Sequence, residues 1–331
     1  MDTRRIQVTQ GESYMITLPK EWAESMGLKK NDSVNVEVQS DGDLIVSPVK
    51  KIEAPKDIKR INTTGMKNGD FLYRQLIGAY IAGHNMIEAY SDHPLSNSVI
   101  DTVNTFAQTS IGLEVLEEDN FRILTKDLID HAEIRPNKSL GRMSILVKKM
   151  IDDVFESAVN NDPSYIKDME KRDIEVDRIH WLISRQTNIY KKDPWLCKKT
   201  GSNIIELTNH IGASKVLERI GDHTVLLSKN LTAQMEEKKA VAVDKSIRDI
   251  GKEIINLYND SVNSWLKTDM DAAEKCIEEG EKIVAKIERV FKRVEINLEA
   301  GSTTSLSVGS AKRIAEYCMD ISELTINAAM N

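Results

Sequence analysis

The first fifty residues alternate between polar and apolar positions, with β-branched residues favoured, as is typical of half-buried strands. Strands are predicted at residues 4–9, 14–18, 34–38 and 44–46. Asp41-Gly42-Asp43 predicts the turn of a hairpin between the last two strands. Pro19 opens a short amphipathic helix that Gly27 ends. Residues 1–50 therefore predict a ββαββ module, which is too small to bury much surface alone and is expected to form a homodimer.

The next two segments differ in pattern from the first. Residues 51–68 show no apolar periodicity and predict a basic linker, with Lys51, Lys56, Lys59, Arg60 and Lys67. Residues 69–137 mix helical patterns, Phe71 to Tyr90 and Val99 to Gln108, with strand-like residues 112–116 and 121–124. They predict a small α/β element.

From Ser139 onward apolar residues recur every three or four positions, the pattern of amphipathic helices. The pattern of the first helix restarts about a hundred residues later, which indicates an internal repeat. Two three-helix units are predicted, residues 138–238 and 239–331. The expected fold class is mainly α with a small β-rich N-terminal domain.

Composition narrows the possible functions. A chain of 331 residues exceeds one hydrophobic core, so several domains are expected. Its three cysteines are scattered, which argues against a disulfide framework or zinc site. No apolar run reaches the ~18 residues of a membrane span, so we expect a cytoplasmic protein without membrane insertion. No GxSxG or HExxH motif occurs, and we expect no enzyme activity.

Paired carboxylates recur in the predicted helices. Glu218 with Asp222, and Glu316 with Asp320, occupy matching positions of the two repeats, and Asp173 with Asp177 precede the first pair. A spacing of four residues places both carboxylates on one helix face, where they could bind a hard cation. The alternative is a solvated face, with Glu218 and Asp222 paired to nearby Lys215 and Arg219.

Three histidines, His180, His210 and His223, also fall in predicted helices. They could be ligands or bases, but a single helical histidine is more often a packing residue. None is assigned a catalytic role.

The string Leu217-Glu218-Arg219-Ile220-Gly221-Asp222-His223 resembles the signature of PhoU proteins, regulators of phosphate uptake built from tandem three-helix bundles. The resemblance covers residues 139–331. It implies one metal cluster at Asp173, Asp177, Glu218 and Asp222, and a second at Glu281, Glu316 and Asp320. A divalent or transition metal ion is expected, with iron or zinc favoured because converging carboxylates from adjacent helices offer hard oxygen ligands.

The N-terminal segment, with the string Ile16-Thr17-Leu18-Pro19-Lys20-Glu21-Trp22, resembles the AbrB-type swapped-hairpin fold, which dimerises and binds DNA. The resemblance implies DNA contacts from a set of basic residues, Arg4, Arg5, Lys20, Lys29 and Lys30. Alternatively these are ordinary surface charges and the module only dimerises, since Glu12, Glu21 and Glu24 nearly cancel them.

Together the two resemblances imply a phosphate-responsive regulator of phosphate uptake that binds DNA through its first domain and metal through its bundles. The alternative is a DNA-independent interaction protein that restrains a phosphate transporter or its sensor kinase. A metal-dependent phosphatase is disfavoured because no residue is nominated as its acid or base.

Overall fold

A computed structural model describes residues 3–8, 13–38, 42–49, 58–236, 245–296 and 302–330. The predicted turn residue Asp41 and the linker residues Lys51 and Lys56 lie outside the described residues. The chain divides into two compact units, residues 1–57 and 58–331. No helix of the described residues is long and apolar enough to cross a membrane.

The first unit confirms the ββαββ prediction. Its elements are β1 (Gln7–Val8), β2 (Tyr14–Met15), α1 (Lys20–Ser25), β3 (Val34–Val38) and β4 (Leu44–Pro48). β1 pairs antiparallel with β2, and β3 pairs antiparallel with β4. Gly27 has a φ of 57°, and Leu28 N–H donates to the Ala23 carbonyl at 2.9 Å. This is the glycine-dependent end expected for α1. The exchange of strands between two copies stays a prediction.

The second unit begins with a four-stranded sheet covered by two helices. Its elements are β5 (Ile58–Asn62), α2 (Gly69–Ile81), β6 (Met86–Tyr90), α3 (Asn97–Thr109), β7 (Leu113–Glu118) and β8 (Arg122–Asp127). The strand order is β5-β6-β8-β7, with β5 and β6 parallel and the other pairs antiparallel. Leu72, Leu76, Val103 and Phe106 of the helices form one core with Ile87 of the sheet.

Two sequence predictions were wrong in this element. The helix predicted over Phe71 to Tyr90 ends at Ile81, and Met86–Tyr90 form a central strand. The four residues Met86 to Ala89 are all buried, so the alternation that marks a strand is missing. The linker predicted over 51–68 contains β5, an edge strand in which only Ile61 is buried, and one buried position gives no periodic signal.

The described residues from 136 onward are mainly helical, as predicted. The helices are α4 (Pro136–Asn160), α5 (Met169–Lys192), α6 (Pro194–Lys199), α7 (Ile204–Glu236), α8 (Lys245–Lys267), α9 (Met270–Ile296) and α10 (Ser302–Ala329). A short 3-10 helix, Pro163–Ile166, joins α4 to α5. The first three-helix unit consists of α4, α5 and α7, and the second consists of α8, α9 and α10. Their buried residues belong to one continuous core.

Close packing joins the two three-helix units. The Tyr258 hydroxyl of α8 donates to the Ser144 carbonyl of α4 at 2.7 Å. A Cβ at Gly251 of α8 would lie 2.6 Å from the Phe155 ring, so a larger residue there would push the helices apart. The two units are therefore halves of one bundle.

The last turns of α5 fix the α/β element to the bundle. Arg185 is fully buried and donates to the Tyr80 and His84 carbonyls, near the end of α2, and to the Asp127 carboxylate of β8. Asn188 donates to the Ile81 carbonyl at 2.9 Å. These donors satisfy backbone carbonyls that a helix end leaves without intrahelical partners, so α5 is structurally shared by the bundle and the α/β element.

Candidate functional site

Four carboxylates converge where α5 packs against α7. Asp173 and Asp177 lie on α5, and Glu218 and Asp222 lie on α7; we call these four residues the acidic seam. The helices approach closely because Gly221 has no side chain: a Cβ there would lie 3.0 Å from Asp173 Oδ1. The structure thus brings together all four residues predicted for the first metal cluster.

Burial and mutual repulsion dominate the electrostatics of the acidic seam. Burial, and then the charges of Asp222 and Glu218, raise the pKa of Asp173 to about 6. Burial, and then Asp173 and Glu218, raise the pKa of Asp177 to about 7. The pKa of Asp222 is also raised, by burial and then by Glu218. The folded protein therefore holds more negative charge here than its own groups stabilise.

Two oxygens of the acidic seam, Asp173 Oδ1 and Glu218 Oε2, are buried without a hydrogen-bond partner. The other oxygen of Glu218 accepts from Lys215 Nζ at 2.6 Å, which confirms that part of the ion-paired alternative. Arg219, the other predicted partner, lies over the Tyr317 ring, 5.9 Å from its centroid. Buried polar atoms without partners are rare in folded proteins, and carboxylate oxygens are ligands of hard cations.

The acidic seam does not form a closed coordination shell. Among the described residues, no group of three or more His, Cys, Asp or Glu side chains is arranged to hold a metal ion. The donor chemistry fits a cation, while the observed rotamers do not enclose one. Glu218 Oε1 is held by Lys215 Nζ, and Oε2 is the oxygen of this side chain that has no partner among the described residues.

The second three-helix unit lacks the carboxylates of α5. Buried residues of the two helices correspond in order, Met169, Val176 and Ile183 with Cys276, Ile283 and Val290. This register places Gly280, rather than Glu281, at the position of Asp173. A Cβ at Gly280 would lie 2.4 Å from Met319 Cγ, so a thioether fills the space that a carboxylate fills in the first unit.

The residues predicted for the second metal cluster are accordingly dispersed. Glu281 is exposed on α9. Glu316 is ion-paired with Arg313 at 2.9 Å and with Lys312 at 3.6 Å. The pKa of Asp320 is raised by burial and then by Glu323. The structure does not gather Glu281, Glu316 and Asp320 as it gathers the acidic seam.

The helical histidines occupy different surroundings. His210 packs edge-on against Trp265, and His223 packs against Tyr317, in agreement with a packing role. His180 lies on α5 beside the acidic seam, with Nδ1 2.9 Å from Ser214 Oγ. Burial lowers the pKa of His180 to about 4, against the opposing effect of Glu218. In the sequence, the spacing of Asp173, Asp177 and His180 places all three on one helix face, and this spacing could have shown that His180 lies beside the acidic seam.

In the first unit the predicted DNA-contacting residues are all exposed: Arg4, Arg5, Lys20, Lys29 and Lys30. Lys20 lies 3.7 Å from Glu24, a loose exposed pair. No described residue of this unit is buried, and many exposed ones are apolar, including Val8, Tyr14 and Val36. The described part of the module therefore has no core of its own.

The fold and the site together define two parts of the chain: a β-rich module whose described residues form no core, and a unit whose helical bundle carries the acidic seam. The family model described as "PhoU domain" matches residues 140–231. The model described as "Antidote-toxin recognition MazE, bacterial antitoxin" matches residues 7–54. Residues 140–231 are therefore similar to PhoU domains and residues 7–54 to MazE-type, AbrB-like domains, which confirms both resemblances.

Comparison with solved structures supports the helical fold. The crystal structure of PhoU from Pseudomonas aeruginosa is similar with a TM-score of 0.54 and 15% identity, over 59% of this chain and 95% of that chain. No curated protein sequence matches the chain significantly. The PhoU family match ends at residue 231, before the second three-helix unit begins. In that second unit the carboxylates of α5 have no counterparts.

Proposed function

We propose that this protein is a phosphate-responsive, non-enzymatic regulator of phosphate uptake, in which the bundle binds a metal cation and the N-terminal module binds DNA as a homodimer. The observation that carries the proposal is the acidic seam inside the matched PhoU domain. Its carboxyl groups have raised pKa values, and two of its buried oxygens lack partners. A bound cation would stabilise the ionised carboxylates and would give the two buried oxygens a partner.

The cation would be held by oxygens of Asp173, Asp177, Glu218 and Asp222. A bound ion would supply the positive charge that offsets their repulsion, and iron or zinc is the proposed identity. Gly221 supports this assignment because it leaves room for the Asp173 carboxylate against α7. The neutralised seam would draw α5 and α7 together, and this is the proposed structural response to metal.

The DNA-binding part of the proposal rests on the exposed basic residues and on the missing core. Because no buried residue occurs in the described part of the module, we infer that it requires a partner surface to fold stably, and a second copy would present Arg4 and Arg5 twice. Lys20, Lys29 and Lys30 would add phosphate contacts. The proposed order of assembly is dimerisation first and DNA binding second.

The metal assignment is tested on purified protein by metal analysis and by titration with Zn²⁺ or Fe²⁺. Glu218→Gln with Asp222→Asn should abolish binding. The matched control is Glu316→Gln with Asp320→Asn, which removes the same two charges from the second three-helix unit and should leave binding unchanged. Equal metal content in the wild type and the first variant would overturn the assignment.

The DNA assignment is tested with full-length protein and the DNA upstream of its own coding sequence, at several salt concentrations. Arg4→Ala with Arg5→Ala should weaken binding and reduce the salt slope by about one unit for each phosphate that the protein no longer neutralises. Glu218→Gln with Asp222→Asn should leave the slope unchanged. Absence of DNA binding at low salt, where attraction is strongest, would refute this part.

A second candidate function is favoured by the apolar surface of the module. Val8, Tyr14 and Val36 are each at least 60% exposed, and a protein partner could cover them without any DNA. The protein would then restrain a phosphate transporter or its sensor kinase by direct contact. Binding to the purified transporter components in the presence of excess DNA competitor separates the two candidates.

A further inference from the structure

A lysine-rich segment with an exposed tryptophan lies where α5 ends and α6 follows it; we call residues 191–199 the basic corner. The segment contains one acid, Asp193, and four lysines, Lys191, Lys192, Lys198 and Lys199. All four lysines are exposed. The basic corner therefore presents a local positive charge on a chain whose net charge is −7.

The short helix α6 directs its two largest contrasts in opposite directions. Cys197 is buried and packs in one cluster with Tyr190 and Leu207, whereas Trp195, two positions earlier, is 43% exposed. An apolar core is thus within reach of α6, yet the largest apolar side chain of this helix faces outward. The inner face of α6 anchors the helix and leaves the indole at the surface.

The indole and the lysines belong to one surface. Lys199 Nζ lies over the Trp195 ring, 5.3 Å from its centroid, and Lys198, three positions after Trp195, lies on the same helix face. Lys192 donates to the Ala82 carbonyl at 2.7 Å, which ties the end of α5 to α2. The oxygen Oδ1 of Asp193 accepts from Leu196 N–H at 3.0 Å and caps α6.

Apolar side chains of two further helices extend this surface. Ile205, in the first turn of α7, is 50% exposed, and Leu266, in the last turn of α8, is 54% exposed. These two helix ends lie close together, because Trp265 packs edge-on against His210 with ring centroids 6.0 Å apart. Single exposed apolar residues are ordinary, but here three helices bring them to the same end of the bundle.

We propose that the basic corner docks onto the surface of a bilayer that contains anionic phospholipid, with the Trp195 indole at the level of the headgroups. Tryptophan and lysine side chains, each with an apolar body and a polar end, suit the membrane interface, and an anionic surface attracts lysines near it. The protein would lie on the membrane without spanning it. This inference is independent of the proposed metal and DNA binding.

Charge and apolar exposure together favour a bilayer over other occupants. A second copy of the chain docked on the same surface would bring lysines against lysines, and juxtaposed like charges disfavour binding. A nucleic acid would pair with the lysines but would leave Ile205 and Leu266 uncovered. An anionic bilayer offers phosphates to the lysines and an apolar layer to the exposed Trp195, Ile205 and Leu266.

The test is sedimentation of the full-length protein with vesicles of phosphatidylcholine alone or mixed with phosphatidylglycerol. The wild type should bind the mixed vesicles, and added salt should weaken binding. Lys198→Gln with Lys199→Gln should weaken it about 25-fold, since each lysine near an anionic surface contributes about fivefold. The matched control is Lys171→Gln with Lys282→Gln, which removes the same charge from exposed positions elsewhere and should bind as wild type.

A second measurement locates the indole without removing any charge. Brominated phosphatidylglycerol in the vesicles should quench the tryptophan fluorescence of the wild type. Trp195→Phe should still bind these vesicles but should lose the quenching, because the other three tryptophans, Trp22, Trp181 and Trp265, lie outside the basic corner. Quenching that persists in Trp195→Phe would place another tryptophan at the membrane and overturn the proposal.

The remaining outcomes identify the other occupants. Equal binding of the wild type to both vesicle types, or no binding, would overturn the proposal. If Lys198→Gln with Lys199→Gln loses DNA binding instead, the basic corner binds nucleic acid, and if this variant changes the oligomeric state instead, the corner is a contact between copies. Loss of vesicle binding in Arg4→Ala with Arg5→Ala, with binding unchanged in the corner variant, would move the membrane contact to the N-terminal module.

Discussion

Neutralising Asp177 should stabilise the metal-free protein at neutral pH. The pKa of this carboxyl is raised from 3.8 to about 7 by burial and by the other carboxylates of the acidic seam. At about 1.4 kcal/mol per pKa unit, the ionised carboxylate costs the folded protein about 4 kcal/mol above pH 7. Because the repulsion is shared with Asp173 and Glu218, we expect Asp177→Asn to raise the free energy of unfolding by about 2 to 4 kcal/mol at pH 8.

The sign of the pH dependence follows from the raised pKa values. An acid whose pKa is higher in the folded state than in the unfolded state destabilises the fold as pH rises, here between about pH 4 and pH 7. Three histidines act oppositely over part of this range: burial lowers the pKa values of His180, His210 and His223, so acidification below about pH 6.5 destabilises the fold. Because the three histidines are present in both the variant and the wild type, their contributions cancel in the difference between the two free energies of unfolding.

The assay is urea unfolding in the presence of a metal chelator at pH 4.5, 6 and 8, for wild type and Asp177→Asn. The stabilisation by Asp177→Asn should grow from about a quarter of its full value at pH 4.5, where the unfolded-state carboxyl is already mostly ionised, to its full value at pH 8. Glu170→Gln is the matched control: it lies on the same helix, but Lys229 lowers its pKa, so neutralising it should not stabilise. A difference that is constant across pH, or a destabilised Asp177→Asn at pH 8, would refute the reasoning.

Two other substitutions test the packing around α5. Arg185→Met should lower the free energy of unfolding by about 3 to 5 kcal/mol, measured by urea unfolding, because it leaves the buried Asp127 carboxylate without its guanidinium partner; a decrease below about 1 kcal/mol would contradict this. Gly221→Ala should lower Zn²⁺ affinity, measured by titration, because its Cβ would displace Asp173, while the metal-free protein should be no less stable since alanine favours helix by about 1 kcal/mol. Unchanged Zn²⁺ affinity in Gly221→Ala would contradict the packing argument.

The helices of the bundle could be predicted from sequence because apolar positions three and four apart define a helix face. The same spacing aligns Glu218 with Asp222, but the grouping of this pair with Asp173 and Asp177 came from the resemblance to PhoU proteins. The strand at Met86–Tyr90 could not be predicted in the same way, since it is buried on both faces and has no alternating pattern. Its identity is set by pairing with β5 and β8, which are distant in sequence.

The second metal cluster shows a different limit of sequence reasoning. Glu281 was predicted for this cluster, but Gly280 occupies the position that corresponds to Asp173, and a shift of one position along a helix turns a side chain by about 100°. Glu281 is therefore exposed, and the corresponding inward-facing position holds a glycine. The order of buried residues on α5 and α9 reveals the register, and the contact between Gly280 and Met319 agrees with it, because it pairs a small residue with a large one across two helices.

Arg185 was also missed, and its position bears on how the bundle could influence the rest of the unit. From sequence alone, a buried arginine cannot be distinguished from an exposed charge on an amphipathic helix. Arg185 nevertheless donates to both α2 and β8. It follows Asp177 by eight residues, or about 12 Å along α5 at about 1.5 Å per residue. An intact helix transmits displacement along its axis, since its backbone hydrogen bonds resist stretching. Any movement of α5 that accompanies neutralisation of the acidic seam must therefore either carry the α/β element with it or break the bonds of a fully buried guanidinium, and the second alternative is the costlier one.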